Sequence, residues 1–196
     1  MLLLNNHDSF TWNLAELLRR IGLARFEIVS SEDFNPAMMD QYERIIFSAG
    51  PGLPEGQPAM FRILKELEER GSRHEKVPRV FGVCLGMQAV ALHFGGKLIN
   101  LESVVHGQPR KLTIVNPFHP LFKEISNGTQ VGLYHSWAVD SHTMPGCLET
   151  LAISPNGTIM ALAHKTLPVS GVQFHPESIM NPEGSRIVEN WINWQT

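Results

Sequence analysis

Ten residues in the first half of the chain, Val80-Phe81-Gly82-Val83-Cys84-Leu85-Gly86-Met87-Gln88-Ala89, constrain the fold more than any other stretch. Val80 to Val83 is a β-branched and aromatic run of the kind that forms a buried strand. From Leu85 the residues become helix formers (Met87, Gln88, Ala89, Ala91, Leu92), and the run ends at Gly95-Gly96. Cys84 therefore stands at a strand-to-helix turn, with Gly82 and Gly86 two residues to either side. Such a turn strains its central residue and brings neighbouring backbone close, which flanking glycines permit. The spacing is that of the Gly-x-Ser-x-Gly nucleophile elbow, with sulfur in place of oxygen. A cysteine at a helix N-terminus meets unpaired N–H groups and the positive end of the helix dipole, a setting that suits a reactive sulfur. From these ten residues alone a buried structural cysteine is an equally good reading.

The surrounding chain repeats the same strand–helix alternation. Met1 to Asn5 reads as a strand, followed by a helix capped by Asp8 or Ser9 with an apolar face of Leu14, Leu17, Leu18 and Ile21. Phe26–Ser30 and Arg44–Ser48 read as strands, and a rigid loop, Ala49 to Gly56, leaves the second of them. The next helix carries Met60, Ile63, Leu64 and Leu67 at helical spacing, with Glu66 and Arg70 four residues apart. This order predicts one α/β domain over residues 1–196, an open, mostly parallel, flavodoxin-like sheet between two layers of helices. Ligands of such sheets bind outside the carboxyl ends of the strands.

After Lys97 the pattern changes to short β-like runs at Lys97–Leu101, Lys111–Val115, Val131–Tyr134, Leu148–Ile153, Thr158–Ala163 and Val169–Phe174. Asn127-Gly128, Pro145-Gly146 and Asn156-Gly157 separate them as turns, so a small antiparallel extension at one end of the sheet is expected. His106-Gly107 reads as a further turn. Asn181-Pro182-Glu183 has the order of cap, first-turn proline and first-turn acid for a last helix, whose buried face is Ile187, Val188, Trp191 and Ile192.

The last of those β-like runs ends in Gly171-Val172-Gln173-Phe174-His175-Pro176-Glu177-Ser178. In an extended chain His175 and Glu177 point to the same side. That suits an imidazole base and a carboxylate that orients it, and with Cys84 they supply a nucleophile, a base and an orienter. Cys84, His106, His135 and His175 are scattered without metal-ligand spacing, and His7, His93, His119, His142 and His164 read as surface or packing residues. Cys147, in a turn with no nearby base, reads as incidental; no metal and no cofactor are expected.

Composition excludes several function classes. The net charge of −3 offers no basic footprint for nucleic acid or an anionic membrane. Two cysteines make neither a disulfide framework nor a four-cysteine zinc site, and a free nucleophilic cysteine fits a reducing compartment. Met1 to Leu4 is too short an apolar run for a signal peptide or a membrane span. A cytoplasmic protein is expected.

FGVCLGMQ and GVQFHPES resemble the two signatures of class I (triad) glutamine amidotransferases. LLLNNHDSFTWNL, SAGPGLPEG and LYHSW resemble segments of the glutaminase subunits of anthranilate synthase and aminodeoxychorismate synthase, so the likeness runs from Leu2 to Trp191. The resemblance implies hydrolysis of the side-chain amide of L-glutamine by a triad of Cys84, His175 and Glu177. It also implies an oxyanion hole from the backbone N–H groups of Gly52 and Leu85, and substrate contacts from Gly50, Pro51, Gly52, Gln88, Ser136 and Trp137. His106-Gly107 matches a loop that faces the partner subunit in the family.

The expected partner is a chorismate-binding synthase on another chain, since 196 residues leave no room for one beside the glutaminase. The product is then 4-amino-4-deoxychorismate, toward para-aminobenzoate and folate, or anthranilate, toward tryptophan. Met87 replaces a usual histidine, Trp137 a usual leucine, Ala49 a common proline, and Asn5-Asn6-His7 the more frequent Asp-Asn-Tyr. These departures lean the reading toward the first product and leave the triad intact. A stand-alone γ-glutamyl hydrolase and a non-catalytic glutamine sensor are the competing readings; a sensor has no need of a Cys84 nucleophile.

Overall fold

The computed structural model describes residues 1–194. Five strands, β1 (Leu2–Asn5), β2 (Glu27–Ser30), β3 (Arg44–Phe47), β4 (Arg79–Val83) and β10 (Val169–Val172), form the parallel part of the sheet in the order β2-β1-β3-β4-β10. Past β10 the same sheet continues antiparallel through β9 (Ile159–His164), β8 (Leu148–Ile153) and β6 (Thr113–Ile114).

Strand alternation decides which helix covers which face. Leu3, Ile46, Phe81 and Val83 pack with Leu14, Leu17 and Leu18 of α1 (Phe10–Arg20) and with Ile187, Val188 and Trp191 of α4 (Gly184–Asn193). Leu2, Leu4, Ile45, Phe47 and Val80 face the other way, against Met60, Ile63, Leu64 and Leu67 of α2 (Pro58–Ser72) and Leu85 of α3 (Leu85–His93). The result is the three-layer α/β arrangement expected, with each fully buried leucine contributing about 2 kcal/mol of transfer free energy. Phe81 and Trp191 stack at 5.3 Å between centroids and tie the central strand to the last helix. Arg70 and Glu66 of α2 form the expected ion pair at 2.6 Å.

Three local expectations are corrected. The expected run Lys97–Leu101, from Leu98 on, and the His106-Gly107 pair belong to one long strand, β5 (Leu98–Lys111), which pairs antiparallel with β7 (Gln130–Val139) as a separate two-stranded sheet. His106-Gly107 sits at a register shift within that ribbon, not at a turn between strands, and Gly107 at φ +62° supplies the bulge. Cross-strand hydrogen bonding to β7 outweighs the local turn signal. Asn181 is not the cap of α4. It is buried, its carbonyl accepts from the Gly184 N–H at 3.1 Å, and the helix begins only at Gly184. A Cβ on Gly184 would lie 2.0 Å from the Pro176 carbonyl oxygen, so the helix start is set by its contact with the segment after β10.

No helix among the described residues is long and apolar enough to cross a membrane.

Candidate active site

Cys84 adopts φ +51° and ψ −101°, backbone angles that a non-glycine residue occupies only under strain of about 1–3 kcal/mol. The flanking glycines permit the strained turn. A Cβ on Gly82 would stand 2.3 Å from the Gly86 carbonyl carbon, and one on Gly86 would stand 2.7 Å from the Phe47 Cβ and 2.8 Å from the Phe47 carbonyl oxygen. Gly82→Ala is therefore expected to lower unfolding free energy by about 3 kcal/mol or more, read as a fall in the thermal or urea midpoint. A midpoint equal to wild type would show that the turn has room the geometry denies it.

Sheet register brings the distant second motif to the same point. Val172 of β10 pairs with Val83 of β4, and the Cys84 N–H donates to the Val172 carbonyl at 2.8 Å. The next residues along the two strands are thus Cys84 and Gln173, with His175 two further on. The His175 N–H donates to the Gly132 carbonyl at 3.2 Å, and a Cβ on Gly132 would come within 2.9 Å of Ser178 Oγ, so β7 lies directly against the His-Pro-Glu-Ser segment.

His175 and Glu177 are both buried, and Nδ1 of His175 is 2.8 Å from Oε1 of Glu177. The other face of the pair is aromatic: Phe10 and Tyr134 lie 4.5 Å and 5.0 Å from the His175 ring. Burial by itself pushes the imidazole down, but hydrogen bonds to the Cys84 sulfur and the Glu177 carboxylate, with the charge of both, outweigh it and raise His175 to about 10. The arrangement favours a cationic imidazole between two acidic groups.

In front of the sulfur opens a cleft of about 240 Å³. The Gly50-Pro51-Gly52 loop, Cys84 with Leu85, Gln88 and the Ser136-Trp137 pair all line it. Two glycines of the loop have different reasons. A Cβ on Gly50 would meet Leu85 Cδ2 at 2.5 Å, so close approach requires glycine there. At Gly52 a Cβ would meet nothing within 4 Å, and it is the φ of +76° that calls for glycine. Leu85 opens α3, so its N–H has no intrahelical acceptor. Among the described residues neither it nor the Gly52 N–H donates to a protein group.

The departures from the family pattern divide by position. Met87 is fully buried and its Cβ would lie 2.9 Å from a Cβ placed on Gly171, so it packs between α3 and β10 and does not line the cleft. Trp137 does line it, and its carbonyl accepts from Gln88 Nε2 at 2.8 Å and from His135 Nδ1 at 2.9 Å. Cys147 is half-buried and lies at the edge of the core on the α2 face.

Several residues here escaped the sequence reading. His135 lines the cleft as well; burial pushes its imidazole down, the Trp137 carbonyl opposes this, and neighbouring His175 adds to the lowering. It is thus a neutral ring with its Nδ1–H on the carbonyl. Its position between Tyr134 and Ser136 was the available signal. Gln173 had a clearer one, standing two residues before His175 at the end of a strand. Asp8, Phe10 and Tyr134 reach the site only through packing.

The chain matches the class-I glutamine amidotransferase family over residues 2–194. It is 40% identical over 98% of its length to the "Putative anthranilate synthase component II" of Haemophilus influenzae, covering 95% of that protein. It is 38% identical over 97% of its length to the aminodeoxychorismate synthase of Streptomyces griseus, where the match covers 25% of a longer chain. In fold it superimposes on a crystal structure from Thermoplasma acidophilum with a TM-score of 0.83 at 22% identity, covering 97% of this chain and 90% of the other. A strained cysteine elbow on a three-layer sheet and a family match spanning the described chain lead to one conclusion: this protein belongs to the class-I glutamine amidotransferases.

Proposed function

We propose that this chain is one glutamine amidotransferase domain that hydrolyses L-glutamine through Cys84, His175 and Glu177. It passes the ammonia to a chorismate-using synthase that makes 4-amino-4-deoxychorismate or anthranilate. The observation that carries the reading is the meeting at one point of the strained Cys84 and the buried His175–Glu177 pair. The Cys84 sulfur attacks the side-chain amide carbon, and the bond to nitrogen breaks as His175 gives its proton to the departing ammonia. The N–H groups of Gly52 and Leu85 receive the oxyanion. Water, activated by His175, then hydrolyses the glutamyl thioester, while Glu177 keeps the imidazole oriented. Gly50, Pro51, Gln88, Ser136 and Trp137 hold the substrate.

Support for the partner comes from the relatives. One is named as a component II, and in the Streptomyces griseus synthase the matching segment is a quarter of a longer chain. We assign the protein to the cytoplasm, where a free reactive cysteine is kept reduced.

Ammonia released into neutral water is mostly protonated and no longer a nucleophile, so idle hydrolysis is wasteful. The isolated chain is therefore expected to be a slow glutaminase. Binding of the synthase with chorismate should raise the rate by roughly a hundredfold, the cost of about 1 Å of misplacement in a catalytic loop. Steady-state ammonia release, with and without the synthase, measures this. A lone chain already at full rate would make it a stand-alone γ-glutamyl hydrolase.

A further inference from the structure

Gln173 is completely buried at the end of β10, and both ends of its amide are engaged. Its Oε1 accepts from Gln88 Nε2 at 3.1 Å, and its Nε2 donates to the Cys84 sulfur at 3.4 Å. The same Gln88 Nε2 donates its second proton to the Trp137 carbonyl at 2.8 Å.

The direction of these bonds follows from donor and acceptor chemistry. A backbone carbonyl only accepts, so the Trp137 oxygen fixes which end of the Gln88 amide carries nitrogen. With both Gln88 protons committed, its Oε1 is the atom free for the cleft. The Gln88 N–H in turn requires an oxygen from Gln173, and that leaves only the N–H end of Gln173 to face the sulfur. The Trp137 carbonyl is itself held by a second donor, Nδ1 of His135 at 2.9 Å. Gln88 thus donates both ways, to the wall of the cleft and to Gln173, and from Gln88 to Cys84 every donor points toward the sulfur.

Resting on the reading of Cys84 as nucleophile, we propose that Gln173 is a positioning residue: it donates to the sulfur, holds it toward the cleft, and through Gln88 couples the nucleophile to the substrate wall. A donor on that side supports negative charge on the sulfur while His175 takes the proton on the other. Sheet register explains why this residue can do it, since Gln173 follows Val172 as Cys84 follows Val83 on the adjacent parallel strand.

The test uses the full chain and two readouts. One is alkylation of Cys84 by iodoacetamide at fixed pH, followed by mass spectrometry with Cys147 as internal reference. The other is steady-state glutamine hydrolysis. Gln173→Met, which keeps volume and removes both hydrogen bonds, should slow Cys84 alkylation about tenfold and leave Cys147 unchanged. It should lower kcat by a similar factor and raise KM less, because Gln88 retains the Trp137 carbonyl. Gln88→Leu should also slow Cys84 alkylation, by about threefold, although it bonds no sulfur, because Gln173 loses what orients it. The double variant should be no slower than Gln173→Met alone.

Unchanged Cys84 alkylation in a folded Gln173→Met protein, or simple additivity in the double variant, overturns the proposal. If Gln173→Met does not fold, an unaltered Cys84 alkylation rate in Gln88→Leu overturns it just as well. Retention of hydrolysis by Cys84→Ala is a separate result, and would sink the nucleophile assignment itself.

Discussion

Cys84→Ala is expected to lower glutamine hydrolysis by a factor on the order of 10⁴ or more, while the synthase partner supplied with ammonium salts keeps its full rate. The size follows from chemistry: without the sulfur no thioester forms, and what survives is whatever the oxyanion donors and substrate positioning achieve alone. The specificity follows from geometry. Of the two cysteines, only Cys84 combines positive φ and a helix N-terminus with a hydrogen bond from Gln173. Cys147→Ser is the control, since that residue packs at the edge of the core. The measurement is a paired assay of product formation with glutamine and with ammonia. Undiminished glutamine-dependent synthesis by Cys84→Ala would exclude the covalent route.

His175→Ala should cost about 10⁴-fold in hydrolysis, and Glu177→Gln less, about 10²-fold. In the proposed mechanism the histidine moves the proton, whereas the carboxylate orients the ring and supports its charge. Glu177 also leaves a signature in pH dependence. His175 is raised from 6.5 to about 10 in the folded protein, against the effect of burial, by the Cys84 sulfur and Glu177. The folded state therefore binds the proton more tightly than the unfolded chain. The resulting stability is complete below pH 6.5 and is lost as pH rises toward about 10. Glu177→Gln removes one of the two raising groups, so the folded value falls and the loss of stability should finish at a lower pH. Urea midpoints across the neutral-to-alkaline range, with the His175 ring followed by NMR, check this. An alkaline limb unmoved by Glu177→Gln would mean that the carboxylate does not govern the imidazole.

The Trp137 carbonyl, which any residue supplies, accepts from Gln88 and His135. That explains how the wall of the cleft tolerates a change in side-chain size. Met87 is tolerated for another reason: it faces Gly171 across the α3–β10 contact, where the missing side chain leaves it space.

Local sequence was enough to determine the strands and helices of the first half, because burial on both faces of the central strands and the apolar stripes of α1 and α2 are written in nearest-neighbour periodicity. It also determined the elbow, since Gly82 and Gly86 are needed by contacts within a few residues of Cys84 and with the adjacent strand. It did not determine the β5–β7 ribbon, whose His106-Gly107 segment looks like a turn until β7 pairs with it across some thirty residues. Nor did it reveal why Asn181 is no cap, because the competing contact is between Gly184 and Pro176. The polar chain from Trp137 through Gln88 and Gln173 to Cys84 lay furthest from view. Each glutamine alone is an ordinary polar residue, and only the parallel register of β4 and β10, with β7 laid over them, turns the amides toward one another. Periodicity reports which face of an element is buried; which buried polar groups become partners is decided by how distant elements pack.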